Sequence, residues 1–288
     1  MLVNFSVIAQ GASHVEKNIP CQDAANAVLG LKKDVGIACA ADGHGGVKYF
    51  RSEKGSDIAV KTAERALADF YRTLSRERSS FFAFRTVTTV LSRNVMQSKL
   101  KQLEANIIYN WRNAVIDDIA KNPFTDAEIE FCAANNITLD EDYNNLLYIY
   151  GSTLLAGLVS DNLWFIIQIG DGLCVVLENT DKIYTPIEAD ERLSFGRTTS
   201  LCDNDALENF REEFGFCKVD GLTVATDGIS DSFEPEKYLQ FNKELYDKFN
   251  LYPADAESEL LTFLPELSVR GSRDDVAIAG LIRIKENK

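Results

Sequence analysis

An aspartate and a histidine stand together in the segment Asp42-Gly43-His44-Gly45-Gly46, directly after the apolar run of residues 35–41. An apolar run of this length that ends in glycine-rich sequence predicts a buried strand followed by a tight loop. Glycines let the backbone approach other groups closely and adopt dihedral angles that other residues avoid. The segment therefore places a carboxylate and an imidazole at a strand end, where they could act on a substrate. Taken alone, it is equally well explained as a polar turn.

Four further aspartates lie beside apolar runs, at the predicted ends of other strands: Asp23, Asp171, Asp227 and Asp274. A single aspartate at a strand end is usually a turn former. Five such residues, most with small neighbours, instead predict one shared pocket lined with carboxylate oxygens. Hard divalent cations such as Mg²⁺ or Mn²⁺ prefer oxygen ligands of this kind.

Six short motifs, in this order, resemble those of the metal-dependent protein serine/threonine phosphatases of the protein phosphatase 2C type, in their bacterial-like branch. The resemblance runs from about Asn4 to Ile284. Each motif alone is weak, but the order makes the set specific. The motifs are Gln22-Asp23, Asp42 to Gly46, Gly151-Ser152-Thr153, Gly170-Asp171-Gly172, Thr226-Asp227-Gly228 and Asp274-Asp275.

The resemblance implies an α+β fold, a four-layer α/β/β/α sandwich in which two stacked, mainly antiparallel sheets are flanked by helix pairs. It also implies one phosphatase domain over residues 1–288, with the metal site at one end between the sheets. Residues 185–217 resemble the mobile flap of the family. We interpret Ser152 and Thr153 as a buried strand start rather than as a nucleophile.

The chemistry implied by the resemblance is hydrolysis of phosphoserine and phosphothreonine monoesters on proteins, by a water that bridges two Mg²⁺ or Mn²⁺ ions. Such ions lie about 3.5–4 Å apart and absorb charge on the phosphoryl oxygens. By resemblance, Asp42 bridges both ions and the Gly43 carbonyl binds one of them. Asp227 and Asp274 hold the other ion, and Asp23 acts partly through waters.

Two more roles follow from the same resemblance. Asp171, together with Asp227, matches a third and weaker metal position. His44 would be the general acid that protonates the leaving serine or threonine oxygen.

The sequence departs from the family pattern at several places around these motifs. The arginine that usually grips the phosphate is missing, because Asn18 and Ile19 occupy its expected places. His14 or Lys17 could bind the phosphate instead, and we predict them as substrate-binding residues. The other departures are Gln22 for the usual glutamate, Gly172 for serine and Asp275 for asparagine.

The amino-acid composition limits the classes of partner that this protein is expected to bind. The formal net charge of −14 over 288 residues argues against a nucleic-acid or anionic-membrane surface, since both need basic patches. The sequence carries neither a signal-peptide pattern nor an apolar stretch of about 18 residues. We therefore expect a cytoplasmic, monomeric protein with reduced cysteines, one of which, Cys21, lies near the site. The expected partner is a phosphorylated protein, in opposition to a serine/threonine kinase.

Hydrophobic periodicity predicts helices over residues 58–74, 82–120, 126–134, 236–249 and 254–264. Strands are predicted over residues 2–9, 35–41, 154–159, 163–169, 174–178, 222–226 and 276–283. Two other functions remain open on the same scaffold. One is a regulatory or binding module with weak or absent catalysis, and the other is a phosphatase for small molecules, since motifs at the reaction centre do not fix the substrate.

Overall fold

The structure, a computed structural model, describes residues 1–83, 93–139, 143–188, 190, 192–193 and 198–285. In these residues ten strands form two five-stranded antiparallel sheets. The strands are β1 Leu2–Ala9, β2 Ala24–Leu29, β3 Gly36–Ala41, β4 Leu154–Val159, β5 Trp164–Ile169, β6 Leu173–Glu178, β7 Lys182–Tyr184, β8 Arg211–Gly215, β9 Gly221–Ala225 and β10 Val276–Arg283.

One sheet has the order β1-β10-β9-β6-β7 and the other has the order β2-β3-β4-β5-β8. The inner strands are rich in apolar residues, and β3, β4, β5, β9 and β10 are buried along their whole length. Side chains of both sheets meet in one apolar layer, for example Ala38 and Leu155 from one sheet with Val224 and Leu281 from the other. Burying the inner face of each sheet against the other holds the two sheets together.

The helices cover the outer faces of both sheets. They are α1 Ala12–Lys17, α2 Ser52–Ala83, α3 Arg93–Lys121, α4 Asp126–Ala134, α5 Tyr143–Ile149, α6 Ala206–Asn209, α7 Asp227–Ser230, α8 Pro235–Leu251 and α9 Pro253–Arg270. The long pair α2 and α3 shares a buried apolar cluster with β3, β4 and β5. The pair α8 and α9 shares another with β1, β9 and β10. None of the helices in the described residues has the length and apolar character needed to cross a membrane.

The predicted α+β sandwich with two stacked sheets and flanking helix pairs is confirmed. Three helices differ from their predicted bounds by several residues, and the last of them is α9, which spans Pro253–Arg270 instead of 254–264. The first of them spans Ser52–Ala83 instead of 58–74, and the second spans Arg93–Lys121 instead of 82–120. Residues 84–92 of the second prediction lie outside the described residues. All six cysteines are free, as expected.

Seven of the elements described above have no counterpart among the predicted ones: α1, α5, α6, α7, β2, β7 and β8. The segment that carries His14 and Lys17 forms the short helix α1. A further helix, α5, precedes the Gly151 motif. Strand β8 lies inside the predicted flap of residues 185–217, where it pairs with β5. Residues 189, 191 and 194–197 of that flap lie outside the described residues.

A buried arginine joins α4 to the start of α2. The Arg51 side chain, 4% exposed, donates to both carboxylate oxygens of Glu128 at 2.7 and 2.8 Å and to the Tyr150 hydroxyl at 2.8 Å. It also donates to the carbonyls of Asn122 and Pro123. The hydrogen bonds from Arg51 lower the pKa of Glu128 to about 2. Because Ser52 follows directly, this network fixes the chain that packs against the Asp42 loop.

Replacement of Arg51 should destabilise the fold substantially. We expect Arg51→Met to lower the free energy of unfolding by about 2–3 kcal/mol, because it removes several hydrogen bonds made by a buried charged group. Arg72→Met, which removes an exposed pair with Asp69, is the matched control and should cost less than about 0.5 kcal/mol. Urea unfolding followed by circular dichroism measures both. Equal effects of the two substitutions would contradict this account of Arg51.

Candidate metal centre

The loop after β3 continues the sheet for three residues beyond the strand. The Thr153 amide donates to the Asp42 carbonyl at 2.9 Å, and the Asp42 amide donates to the Thr153 hydroxyl at 2.9 Å. The His44 amide donates to the Gly151 carbonyl at 3.0 Å. The Gly151-Ser152-Thr153 motif therefore holds Asp42 and His44 in place. As interpreted from the sequence, Ser152 and Thr153 are buried.

Two glycines in this loop region have no space for a side chain. A Cβ on Gly43 would lie 2.6 Å from the carbonyl oxygens of both Gln22 and Ser52. A Cβ on Gly151 would lie 2.7 Å from Cδ2 of His44. The absence of side chains at these positions lets the loop pack against the Gln22 segment and leaves room for the imidazole.

Three of the predicted aspartates meet at one end of the sandwich. Asp42 follows β3, Asp171 lies in the turn between β5 and β6, and Asp227 begins α7 after β9. One carboxylate oxygen from each lies within 4.8 Å of the other two. The structure thus brings together three of the five predicted aspartates, from both sheets.

This crowding disfavours ionised carboxylates. Burial, followed by the charges of Asp42 and Asp171, raises the pKa of Asp227 to about 9. Burial and the neighbouring carboxylates of Asp23 and Asp274 also raise the pKa of Asp42 well above its usual range. Such shifts indicate a site whose negative charge is uncompensated by the protein itself.

Asp23 is more buried than the other predicted metal-binding acids, and a side chain directly after β9 holds it in place. Its Oδ2 accepts a 2.6 Å hydrogen bond from the hydroxyl of Thr226, and the Ala277 amide donates to the same hydroxyl at 2.9 Å. Burial raises the pKa of Asp23, whereas the Thr226 hydrogen bond opposes that rise. Asp274, in contrast, has a side chain that is 56% exposed, at the rim of the site.

The predicted flap contacts the Asp171 turn through its described residues. Thr198 donates a hydrogen bond of 2.8 Å to Oδ1 of Asp171, and the Gly170 amide donates to the Thr199 hydroxyl at 3.0 Å. Arg211, at the start of β8, donates to the Gly170 carbonyl at 2.5 Å. The part of the flap segment from Thr198 onward is therefore attached to the turn that carries Asp171 at two places.

His44 is buried next to this acid cluster. Its ring packs edge-on against Tyr49, with ring centroids 5.0 Å apart. Burial, with a smaller contribution from the Lys48 charge, lowers the pKa of His44 to about 4. The free imidazole is therefore neutral near pH 7.

The two predicted phosphate contacts lie on α1 in different surroundings. Lys17 is exposed. The His14 side chain is only 12% exposed, and its Nδ1 lies 2.8 Å from Oδ2 of Asp275. Asp275 is buried and also accepts from the amides of Gly11 and Gln22. It therefore ties both the start of α1 and the segment before Asp23 to the turn that carries Asp274.

Some residues around the site were missed by sequence reasoning. Asp231 lies one helical turn after Asp227, and burial with the charges of Asp171 and Asp274 raises its pKa. The spacing of four residues from Asp227 could have indicated it. The supporting roles of Thr198 and Arg211 had no comparable signal, since both depend on how the flap segment folds back.

The donor set fits a divalent cation of the hard type. The clustered ligands are carboxylate oxygens, which suit Mg²⁺, Ca²⁺ or Mn²⁺. A cation among them would also offset the repulsion that, together with burial, raises the pKa values of Asp42 and Asp227. The residues present therefore fit the metal that the resemblance implies.

Comparisons with known proteins agree with the motifs. A sequence model of the protein phosphatase 2C family matches residues 10–264. The chain belongs to the protein phosphatase 2C family. No curated protein matches it in a sequence comparison.

Solved structures with this fold include several bacterial phosphatases. The chain is 15% identical to the Mycobacterium tuberculosis serine/threonine phosphatase PstP/Ppp, with a TM-score of 0.54 and 99% of each chain covered. It is 15% identical to the serine/threonine phosphatase Stp1 from Staphylococcus aureus, with a TM-score of 0.55, covering 99% of this chain and 96% of that one. A PstP catalytic domain in complex with two manganese ions is 16% identical, with a TM-score of 0.55 and 99% of each chain covered.

The raised pKa of Asp227 makes the metal-free protein sensitive to alkaline pH. Between its ordinary value of 3.8 and its folded value of about 9, the folded carboxyl keeps a proton that the unfolded chain releases. Stability from this group is therefore present at low pH and is lost as the pH rises through that window. In chelator, the Tm should fall between about pH 5 and 8.5.

Asp227→Asn should flatten that decline and raise the Tm at pH 8, because the amide cannot ionise. Asp69→Asn, at an exposed position on α2, is the control and should keep the wild-type slope. Differential scanning calorimetry across the pH series measures this. Identical slopes for Asp227→Asn and wild type would contradict the proposed charge crowding.

Proposed function

We propose that this protein is a Mg²⁺- or Mn²⁺-dependent phosphatase that hydrolyses phosphoserine and phosphothreonine esters on proteins. The observation that carries the proposal is the group of Asp42, Asp171 and Asp227, whose oxygens lie within 4.8 Å of one another and whose pKa values are raised. Membership of the protein phosphatase 2C family supports the same reading. The proposed domain covers residues 1–288, with a flap at 185–217.

The proposed ligands form two main ion positions and a third, weaker one. Asp42 would contribute to two ion positions, the Gly43 carbonyl to one of them, and Asp227 with Asp274 to the other. Asp23 acts through waters at the inner side, where Thr226 orients it. Asp171 with Asp227 supplies a third, weaker position.

Two bound ions would supply a water of lowered pKa as nucleophile and would offset the charge of the phosphoryl oxygens. His44 is proposed as the general acid for the leaving oxygen. Its burial lowers the pKa, so the ring must gain its proton when the substrate is present. A nearby phosphate would favour the imidazolium, because an opposite charge stabilises the charged form.

The substrate is proposed to be a phosphorylated protein, in opposition to a serine/threonine kinase, in the cytoplasm. The protein is proposed to act as a monomer in signalling. Lys17 is exposed on α1 and is proposed as a phosphate contact. His14 was predicted for the same role, but its Nδ1 is already bonded to Asp275, which leaves one ring nitrogen for any other partner.

Activity should require a divalent metal and Asp42. We expect hydrolysis of p-nitrophenyl phosphate with Mn²⁺ to disappear in excess chelator. Asp42→Asn should lower kcat by about 10³-fold or more, since a ligand shared by both ions loses its charge. Asp69→Asn is the control and should keep wild-type activity. Full turnover in chelator would exclude the metal-dependent mechanism, and absence of turnover with any phosphate ester would favour a binding module.

His44→Ala should affect substrates according to their leaving groups. A general acid contributes about 10²–10⁴-fold when the leaving group is a poor one. We therefore expect a large loss of kcat on a phosphoserine peptide and a small loss on p-nitrophenyl phosphate, whose leaving group needs little protonation. Steady-state kinetics on both substrates tests this. Equal losses would indicate that His44 has a structural role.

Lys17→Ala should raise KM for a phosphoserine peptide more than it lowers kcat, because it removes a charge that binds the phosphate in both ground and transition states. Lys61→Ala, which removes an exposed lysine on α2, is the matched control. Kinetics at constant ionic strength compare the two variants. An unchanged KM for Lys17→Ala would show that the substrate binds without this side chain.

A further inference from the structure

The imidazole of His14 is held in one orientation by a buried carboxylate. Its Nδ1 lies 2.8 Å from Oδ2 of Asp275, a side chain that is 2% exposed. Both oxygens of Asp275 already accept backbone hydrogen bonds, from Gly11 at 2.6 Å and from Gln22 at 2.5 Å. Because a carboxylate can only accept hydrogen bonds, we assign the donor role in the third contact, and the proton, to Nδ1 of the imidazole. In the neutral ring this leaves the Nε2 lone pair free.

The other ring nitrogen faces a proposed metal ligand. Nε2 of His14 lies 3.8 Å from Oδ1 of Asp274. This distance is too long for a hydrogen bond. It lies within the span of two ligand atoms on one ion, because bonds of about 2.0–2.2 Å place such atoms between about 3 and 4.2 Å apart. A phosphate that approached Nε2 of His14 would instead come close to the negatively charged Asp274 carboxylate.

We propose that Nε2 of His14 is a metal ligand beside Asp274, and that Asp275 is the positioning residue that sets its tautomer and orientation. Histidines that bind metals usually donate their other N–H to a carboxylate or carbonyl in this manner. The proposal rests on the proposed function, because Asp274 is one of the ligands assigned there. It gives His14 a role different from the phosphate contact predicted from the sequence.

A nitrogen ligand at this position has a consequence for metal choice. Imidazole suits first-row transition metals, whereas Mg²⁺ prefers oxygen ligands. The ratio of Mn²⁺ affinity to Mg²⁺ affinity should therefore be higher at this site than at an all-oxygen site. Loss of His14 should reduce affinity for Mn²⁺ more than affinity for Mg²⁺.

The chain has two histidines, His14 and His44, which makes a spectroscopic test decisive. Mn²⁺ is added to the purified, metal-free full chain, and electron spin echo modulation detects nitrogen bonded to the ion. Samples with natural and ¹⁵N-labelled histidine identify histidine nitrogen. Wild type, His14→Ala and His44→Ala are compared, with Val15→Ala as a control on the same helix, since Val15 is 61% exposed.

We expect histidine coupling in wild type, Val15→Ala and His44→Ala, and none in His14→Ala. Isothermal titration should show that His14→Ala and Asp275→Asn weaken Mn²⁺ binding by about 10- to 100-fold, with a smaller change for Mg²⁺. If one alanine variant fails to fold, the spectra of wild type and the other variant still assign the coupling, because two histidines are present.

Bound Mn²⁺ without histidine coupling would overturn the inference and leave His14 as a charged clamp between Asp274 and Asp275. Coupling that disappears in His44→Ala and persists in His14→Ala would overturn it as well. Neither result would affect the proposed phosphatase. Binding of Mg²⁺ without any Mn²⁺ binding would overturn the inference alone. Absence of both Mn²⁺ and Mg²⁺ binding would instead overturn the proposed function, and the two failures are therefore distinguishable.

Discussion

Carboxylates that repel one another at the end of a β-sandwich impose the main constraint on this structure. Asp42, Asp171 and Asp227 come from three separate turns. Burial raises the pKa of all three, and the charges of neighbouring carboxylates raise the pKa values of Asp42 and Asp227 further. A fold that holds them at this spacing must resist their tendency to move apart. The inner strands that precede these turns are buried along most of their length, and that buried area supplies the resistance.

Small polar contacts then fix each acid individually. The Thr153 hydroxyl accepts from the Asp42 amide, Thr226 donates to Asp23, and Thr198 donates to Asp171. Threonine is well suited to these places, because its methyl group can pack against apolar neighbours while its hydroxyl reaches a polar partner. The acids are thus oriented by side chains that carry no charge of their own, and the negative potential of the site is left for a cation.

Much of the fold and of the acid cluster could be predicted from the sequence, because both follow from local patterns. Long apolar runs predicted the strands. Three of the aspartates beside these runs lie together at one end of the sandwich, because the ends of strands in stacked sheets lie close to one another. What could not be predicted depends on contacts between distant residues. His14 and Asp275 are 261 positions apart, and nothing in either segment indicates the other. Strand β8 was missed because it is short and mostly charged, with a single buried side chain, Phe214.

The pairing of β1 with β10 joins Leu2 to Arg283, and Asp275 bonds to Gly11 across 264 positions. Contacts of such high sequence separation form late in folding, because a long loop must close before they can add stability. During synthesis the acids near residues 23 and 42 emerge long before Asp227 and Asp274. A ribosome must therefore translate nearly the whole chain before the centre can assemble, and the nascent protein carries its first acids without a partner for most of that time.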